Sequence, residues 1–345
     1  MKGLTYHGAR DIRYESIDDP MLQDDRDVIV KVDKCAICGS DLHIYHGETF
    51  SDDVGYCIGH EAVGEVVETG RGVRQLKTGD KVMISAAVGC GQCRYCVSGN
   101  VVNCENNASG CYGLSAALPG CQAEAVRVPA ADFNAWRIPD GVSQDQALMM
   151  TDSLATAWFG ARNADIKSGA TVAVVGLGPI GLMAIQSAFA MGAARVFGID
   201  PVEIRRESGR ALGAEVMGPE DAVEIIREAT RGLKCDSVIE AVGHGATITM
   251  ALRLVRRRGT VSVIGVNQDR KLEFPMAKAF ADGLTFRIGT CSVPEEWPAL
   301  VPLIQQGRLT PERFITHRYG LEQGAEAYDV FDRRADGAMK VIFEF

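Results

Sequence analysis

Thr171-Val172-Ala173-Val174-Val175-Gly176-Leu177-Gly178-Pro179-Ile180-Gly181 decides the fold of this chain. Five residues, mostly β-branched, read as a buried strand, and the uncharged residues 179–191 that follow read as a helix. Between them Gly176, Gly178 and Gly181 fit G-x-G-x-x-G, a pattern that is weak alone and gains meaning from the strand before it and the helix after it. The first glycine allows a tight turn, the second lets backbone approach a pyrophosphate, and the third lets helix and strand pack closely. Pro179 suits the first helical turn, where its missing N–H would be unsatisfied anyway. Ile180 completes the motif, and the free N–H groups and dipole of the helix start favour a phosphate. Asp200 closes the next predicted strand, 19 residues after Gly181. A carboxylate there accepts hydrogen bonds from ribose hydroxyls and repels a 2′-phosphate, which favours NAD over NADP. Arg205 and Arg206 work the other way, since an arginine nearby can accommodate that phosphate.

Outward from this turn the rhythm continues. Residues 195–200, 237–240 and 260–264 read as strands, and residues 202–212 and 248–255 as helices. This βαβαβ alternation predicts an α/β class with a doubly wound, parallel Rossmann sheet over residues 153–290. Residues 1–152 are different in kind. Short alternating strands at 27–32, 62–68 and 81–84, separated by turns, predict a β-rich domain. Residues 291–345 end in a strand at 340–343 and are expected to rejoin that first domain. The uncharged run 168–194 is long enough to span a bilayer. The glycines and proline in its middle make a buried strand, turn and helix the better reading.

Charge narrows the partners. The 36 basic and 45 acidic side chains give a net charge of −9, which argues against nucleic acid or an anionic membrane. The basic knot Arg256-Arg257-Arg258 is expected to be a solvated helix end. The first residues lack the apolar core of a signal peptide, and 11 cysteines are an odd number, a poor fit to a fully paired secreted framework. A cytoplasmic protein is therefore expected.

Four of those cysteines fall within fifteen residues. Cys90-x2-Cys93-x2-Cys96-x7-Cys104 has metal-ligand spacing, and four thiolates complete a tetrahedral, structural zinc site. An iron–sulfur cluster is the rival, because CxxCxxC also occurs there. The dehydrogenase signs elsewhere in the chain favour zinc. A second constellation is dispersed: Cys38-Gly39-Ser40-Asp41-Leu42-His43 in a turn, and Gly59-His60-Glu61-Ala62-Val63-Gly64 opening a strand. Spacing alone does not lift Cys38 above a buried small residue, nor His60 above a turn histidine.

Taken together these residues resemble the zinc-dependent medium-chain alcohol dehydrogenases over essentially the whole chain. Gly59-His60-Glu61-x2-Gly64-x5-Gly70-x2-Val73 fits that family's zinc signature at every fixed position, and the other motifs occur in the family's order. The resemblance implies a GroES-like catalytic domain beside the Rossmann domain and two zinc ions per chain. It makes Cys38 and His60 ligands of a catalytic zinc. The stretch Met149-Met150-Thr151-Asp152-Ser153-Leu154-Ala155-Thr156 puts Asp152 where the best-known branch has a third cysteine ligand. The same departure marks bacterial secondary-alcohol dehydrogenases and glutathione-independent formaldehyde dehydrogenases, and residues 121–129 resemble the latter. By the same resemblance Glu61 lies near the metal and exchanges with water on it, and Asp41 orients the His60 imidazole. Ser40 takes up the substrate proton and His43 relays it to solvent. Thr156 and Lys340 contact the nicotinamide and pyrophosphate, and Gly243, Gly265 and Val266 line the cofactor edge of the sheet. The other cysteines (35, 57, 111, 121, 235 and 291) and His7, His46, His244 and His317 carry no expected function, though His46 lies close enough to touch substrate.

The expected activity is hydride transfer between NAD(H) and an alcohol or ketone, above all a secondary alcohol. Formaldehyde dehydrogenase, aldehyde dismutase and polyol dehydrogenase are the alternatives within the family. A non-catalytic dinucleotide-binding protein is the alternative outside it. The expected partners are small molecules and further copies of the chain, in a tetramer or a dimer.

Overall fold

Strand Thr171–Val175 lies in the middle of a parallel sheet in the computed structural model, which describes residues 1–106, 110–267 and 271–345. Among the described residues that sheet has six strands, in the order Glu215–Met217, Arg195–Ile199, Thr171–Val175, Cys235–Glu240, Val255–Val263 and Thr285–Ile288. Every neighbouring pair is parallel. Strand order runs outward in both directions from the boundary between Thr171–Val175 and Cys235–Glu240. That boundary is the switch point at which doubly wound sheets bind ligands. The central strands are apolar throughout because helices cover both faces of such a sheet. Val172, Val174, Val238 and Ile239 are all fully buried.

The Arg256–Arg258 knot corrects an expectation. Helix Gly245–Leu254 stops before it, and the three arginines lie inside strand Val255–Val263. Parallel pairing with Cys235–Glu240 overrides the local charge pattern. Cys235 pairs with Val255 but Ser237 with Thr260, so the extra residues between them bulge outward, with Arg258 at φ +59. The uncharged run 168–194 is the strand, turn and helix read from its glycines. No helix among the described residues is long and apolar enough to cross a membrane.

Residues Thr156–Cys291 form one compact unit around this sheet, and Met1–Ala155 with Ser292–Phe345 form another. The second unit is built on a seven-stranded sheet among the described residues. Its order is Ile315–Tyr319, Lys340–Glu344, Val28–Ile37, Glu61–Thr69, Lys81–Ile84 and Ala135–Arg137, with Ala125–Val128 also on Val28–Ile37. Val28–Ile37 and Glu61–Thr69 run antiparallel and approach so closely that a Cβ at Gly64 would fall 2.0 Å from the Lys31 carbonyl oxygen. A three-stranded sheet (Asp11–Ser16, Lys2–Gly8, Tyr56–Cys57) completes the unit. Its core gathers Leu4, Val30, Ile37, Ile58, Tyr328 and Phe343 from both ends of the chain.

Candidate metal centre and dinucleotide turn

Three segments far apart in sequence bring Cys38, His60 and Asp152 together. Strand Val28–Ile37 ends one residue before Cys38, which caps helix Gly39–Tyr45. The Cys38 backbone N–H donates to Asp41 Oδ2 at 2.9 Å, closing the turn that aims the thiol. His60 is set by Gly59, which adopts φ +86 and whose missing side chain leaves room for the Gln122 side chain, its Cγ 2.4 Å from where a Cβ would stand. Asp152 lies just beyond helix Gln144–Met150, a helix begun by the Ser143 capping box.

The Cys38 sulfur is 3.3 Å from Asp152 Oδ2, and His60 Nε2 is 3.4 Å from the same oxygen. One donor atom from each residue lies within 4.8 Å of the others. Tetrahedral zinc with ligands at about 2.0–2.3 Å needs such spacings. Behind His60, Asp41 Oδ1 lies 3.3 Å from Nδ1, out of line, so that neither buried atom completes a hydrogen bond. A metal on Nε2 leaves the ring proton on Nδ1, facing this carboxylate, the usual partner of a metal-bound imidazole. Burial pushes the Cys38 thiol up, and Asp152 pushes it the same way. His60 stands well above its ordinary value, because Asp41 and Asp152 outweigh the opposing effect of burial. A divalent cation among these groups inverts both tendencies, favouring thiolate and neutral imidazole. The donor set therefore fits zinc with a position left open.

Glu61 begins the strand after His60 and is fully buried. Lys340 Nζ donates to its Oε2, Ser153 Oγ donates to its Oε1, and Lys340 Nζ also donates to Ser153 Oγ at 2.9 Å. Burial raises Glu61 above the usual carboxylate range against the pull of Lys340, and Glu61 holds Lys340 above the usual amine range against burial. Ser40 Oγ lies 3.3 Å from His60 Nε2, beside the three donors. His43, one turn along the same helix, pairs through Nδ1 with Glu48 at 2.9 Å.

Ser153, Glu48 and Cys111 were not singled out from sequence. Ser153 could have been suspected as the neighbour of Asp152. Glu48 carries no signal. The Cys111 thiol, pushed up to about 12 by burial, is near enough to His60, Asp152 and Cys38 to interact electrostatically with each. His46 pairs with Asp332 at 2.7 Å.

The four-cysteine lobe also closes. Sulfur distances are 3.5 Å for Cys93–Cys96, 3.9 Å for Cys93–Cys104 and 4.0 Å for Cys90–Cys96. Backbone N–H groups of Gln92 and Cys93 donate to the Cys90 sulfur, and that of Cys90 to the Cys104 sulfur. Against the effect of burial, these donors and Asn106 bring the Cys90 thiol down to about 6, where it ionises readily as a metal ligand does. Four sulfurs leave no open position, as in a structural zinc site.

In the other unit the glycine turn has the form its sequence predicts. Gly176 adopts φ +89, and a Cβ at Gly181 would fall 1.8 Å from the Gly176 oxygen. Gly178 caps helix Pro179–Ala190, and the nearest atom to a Cβ there is Arg205 Nη1 at 4.0 Å. Asp200 accepts from the N–H groups of Leu177 and Val202, both at 2.8 Å, and lies 3.7 Å from Arg205 Nη1. Arg206 is occupied with Glu203 and with the Asp200 carbonyl. Gly243 and Gly265 touch, with a Cβ on Gly265 placed 2.1 Å from Gly243 N and one on Gly243 placed 2.1 Å from the Val266 oxygen. Gly176, Gly243, Gly265 and Val266 follow the carboxyl ends of their strands, while Thr156 stands at the beginning of the unit.

Residues 24–140 match the alcohol dehydrogenase GroES-like domain, and residues 179–306 match the zinc-binding dehydrogenase domain. A probable zinc-binding alcohol dehydrogenase of Mycobacterium tuberculosis is 42% identical over 95% of this chain and 84% of its own length. An alcohol dehydrogenase from Thermus sp. ATN1 superposes with a TM-score of 0.95 at 37% identity, covering 100% of this chain and 99% of its own. An Escherichia coli alcohol dehydrogenase solved with NADH superposes with a TM-score of 0.89 at 26% identity, covering 100% and 99%. On its sequence and on its fold alike, the chain belongs to the zinc-dependent medium-chain alcohol dehydrogenases.

Proposed function

We propose that this enzyme transfers a hydride between NAD(H) and a secondary alcohol or its ketone, with Cys38, His60 and Asp152 holding the catalytic zinc and Cys90, Cys93, Cys96 and Cys104 a structural one. The observation that carries this reading is the convergence of Cys38, His60 and Asp152 within 4.8 Å, with Asp41 behind the imidazole. When bound, the zinc supplies Lewis-acid polarisation of the substrate oxygen, and the nicotinamide supplies the hydride acceptor.

The remaining work falls to the chain. Ser40, beside His60, accepts the proton leaving the substrate hydroxyl, and His43 with Glu48 hands it to solvent. Asp41 keeps the Nδ1 proton on His60, so that Nε2 stays a ligand. Lys340 and Ser153 fix the charge of Glu61 beside the metal ligands. Gly178, Ile180 and Gly181 offer backbone N–H groups to the pyrophosphate, Gly176 and Pro179 shape the turn that presents them, and Asp200, held by two N–H groups, takes the ribose hydroxyls and disfavours a 2′-phosphate. Arg205, Thr156, Gly243, Gly265 and Val266 complete the proposed cofactor contacts, whereas Lys340, expected among them, is buried and held by Glu61 and Ser153 instead.

Oxidation of NADH and NADPH across small and aryl ketones and formaldehyde, with zinc counted per chain, tests the reading. Ketone-dependent NADH turnover is expected, and Asp152→Ala is expected to abolish it while zinc falls from two per chain to one. Turnover confined to formaldehyde, or full zinc content in Asp152→Ala, would overturn it.

A further inference from the structure

The amino-terminal end of the parallel sheet, opposite the dinucleotide turn, carries a second concave site. Gly176, Gly243 and Gly265 follow the carboxyl ends of their strands. Lys234 immediately precedes strand Cys235–Glu240, and Arg256 and Arg257 lie at the start of Val255–Val263. These residues, with Gly232, Leu233, Val255, Lys278 and Asp282, line a cavity of about 590 Å³. That volume is within the ordinary range for small-molecule sites and more than a lone phosphate needs.

Its charge is out of balance. Lys234, Arg256, Arg257 and Lys278 face only Asp282 within the cavity and Asp236 beside it, two more cations than carboxylates. Asp236 is taken by Arg256 at 2.6 Å. Asp282 is shared between Lys278 and Arg257, and cannot neutralise both. Lys234 forms no ion pair among the described residues; its ammonium donates to the Arg253 carbonyl at 2.7 Å. Partial burial and the nearby Lys278 and Arg253 hold it below the usual amine range, Asp282 opposing them. This accumulation stands on a chain whose net charge is −9.

The backbone is also strained here. Lys234 adopts φ +69 and Arg258 φ +59, left-handed conformations that side chains other than glycine rarely take. Such strain is retained where the surrounding structure imposes it, often at binding sites.

We propose that this cavity binds a small polyphosphorylated anion, its pyrophosphate group held by Lys234, Lys278 and Arg257. The two positive charges in excess match a group of two or more negative charges, and charge-assisted hydrogen bonds from Lys234 and from the pair that shares Asp282 supply affinity. Inorganic pyrophosphate and a nucleoside diphosphate both carry this group, and calorimetric titrations of the whole protein at low salt distinguish them. Pyrophosphate is expected to bind, and the Lys234→Gln/Lys278→Gln double variant to weaken that binding about tenfold or more. ADP has a second place to go, the Gly176–Gly181 turn, so the double variant should lose one of two binding events. ADP binding more tightly than pyrophosphate at the lost site identifies a nucleotide ligand, and equal affinity an inorganic one. Arg257→Gln provides a variant whose side chain is 87% exposed, so a folding defect cannot explain its expected loss of affinity. Pyrophosphate affinity unchanged in both variants, or no binding to the unmodified protein at millimolar pyrophosphate, would overturn the proposal.

Discussion

Replacing Lys340 with methionine should strip a buried carboxylate of its counter-charge. Lys340 and Glu61 are 1% and 0% exposed, so neither can turn to water. Lys340→Met leaves Glu61 with the Ser153 hydroxyl on Oε1 and takes away the ammonium that donates to Oε2. Breaking a buried pair by removing one partner costs about 3–5 kcal/mol, mostly as the penalty of the charge left behind. That is a loss of roughly two to nearly four powers of ten in the folded-to-unfolded ratio. Adding Glu61→Gln removes the orphaned charge, and the double variant should recover more than half of the loss. Urea unfolding followed by Trp136 and Trp297 reports it, since these rings pack 5.4 Å apart in the same unit as the pair. A Trp158→Phe background and saturating zinc in every sample keep the other unit and metal loss out of the signal. A cost below about 1 kcal/mol for Lys340→Met, the scale of an exposed pair, would refute the reasoning. So would a double variant no more stable than the single one.

Asp41→Asn should weaken zinc at the Cys38–His60–Asp152 group by about 10- to 100-fold while the four-cysteine zinc stays, measured by timed chelation and metal analysis. Gly181→Ala puts a Cβ 1.8 Å from the Gly176 oxygen and should abolish NADH binding by fluorescence titration, with zinc content unchanged. Acid stability should depend on Asp145. Against the effect of burial, hydrogen bonds from Arg318 and Lys34 hold its carboxyl below the ordinary 3.8. A depressed carboxylate contributes stability that is present above its unfolded value and lost as pH falls through its folded one. Wild type should therefore lose more stability than Asp145→Asn between about pH 5 and 3 in urea titrations, and parallel curves would count against the Asp145 network.

What could be read from sequence follows from how local each constraint is. The Gly176–Gly181 turn is legible because its demands fall within six residues: a left-handed φ, an open cap and a contact too close for any Cβ. The four cysteines are legible for the same reason, one short loop carrying all the donors. Cys38, His60 and Asp152 are not, since 92 residues separate the last two and only folding joins them; Asp152 came from resemblance and no spacing rule picks it out. Ser153 and Glu48 are ordinary polar residues until Glu61 and His43 are seen beside them. Arg256–Arg258 reads as a solvated end because a charged triplet follows an apolar helix, whereas strand Val255–Val263 begins before it and carries it in a bulge between two paired positions.

The pairing of Lys340–Glu344 between Ile315–Tyr319 and Val28–Ile37 has a consequence for biosynthesis. Contacts that span some three hundred residues cannot form until those residues have left the ribosome, and at about 5–20 residues per second that takes tens of seconds. The unit Thr156–Cys291 is continuous in sequence and can complete its sheet during that interval. The Lys34–Ile37 end of strand Val28–Ile37 must meanwhile wait with one edge uncovered, and Cys38 beside it waits without Lys340 nearby. The nascent chain is thus most open to wrong pairing and thiol oxidation before residue 340 appears, which makes co-translational chaperone contact and a reducing environment matter most for the half of the enzyme that is synthesised first.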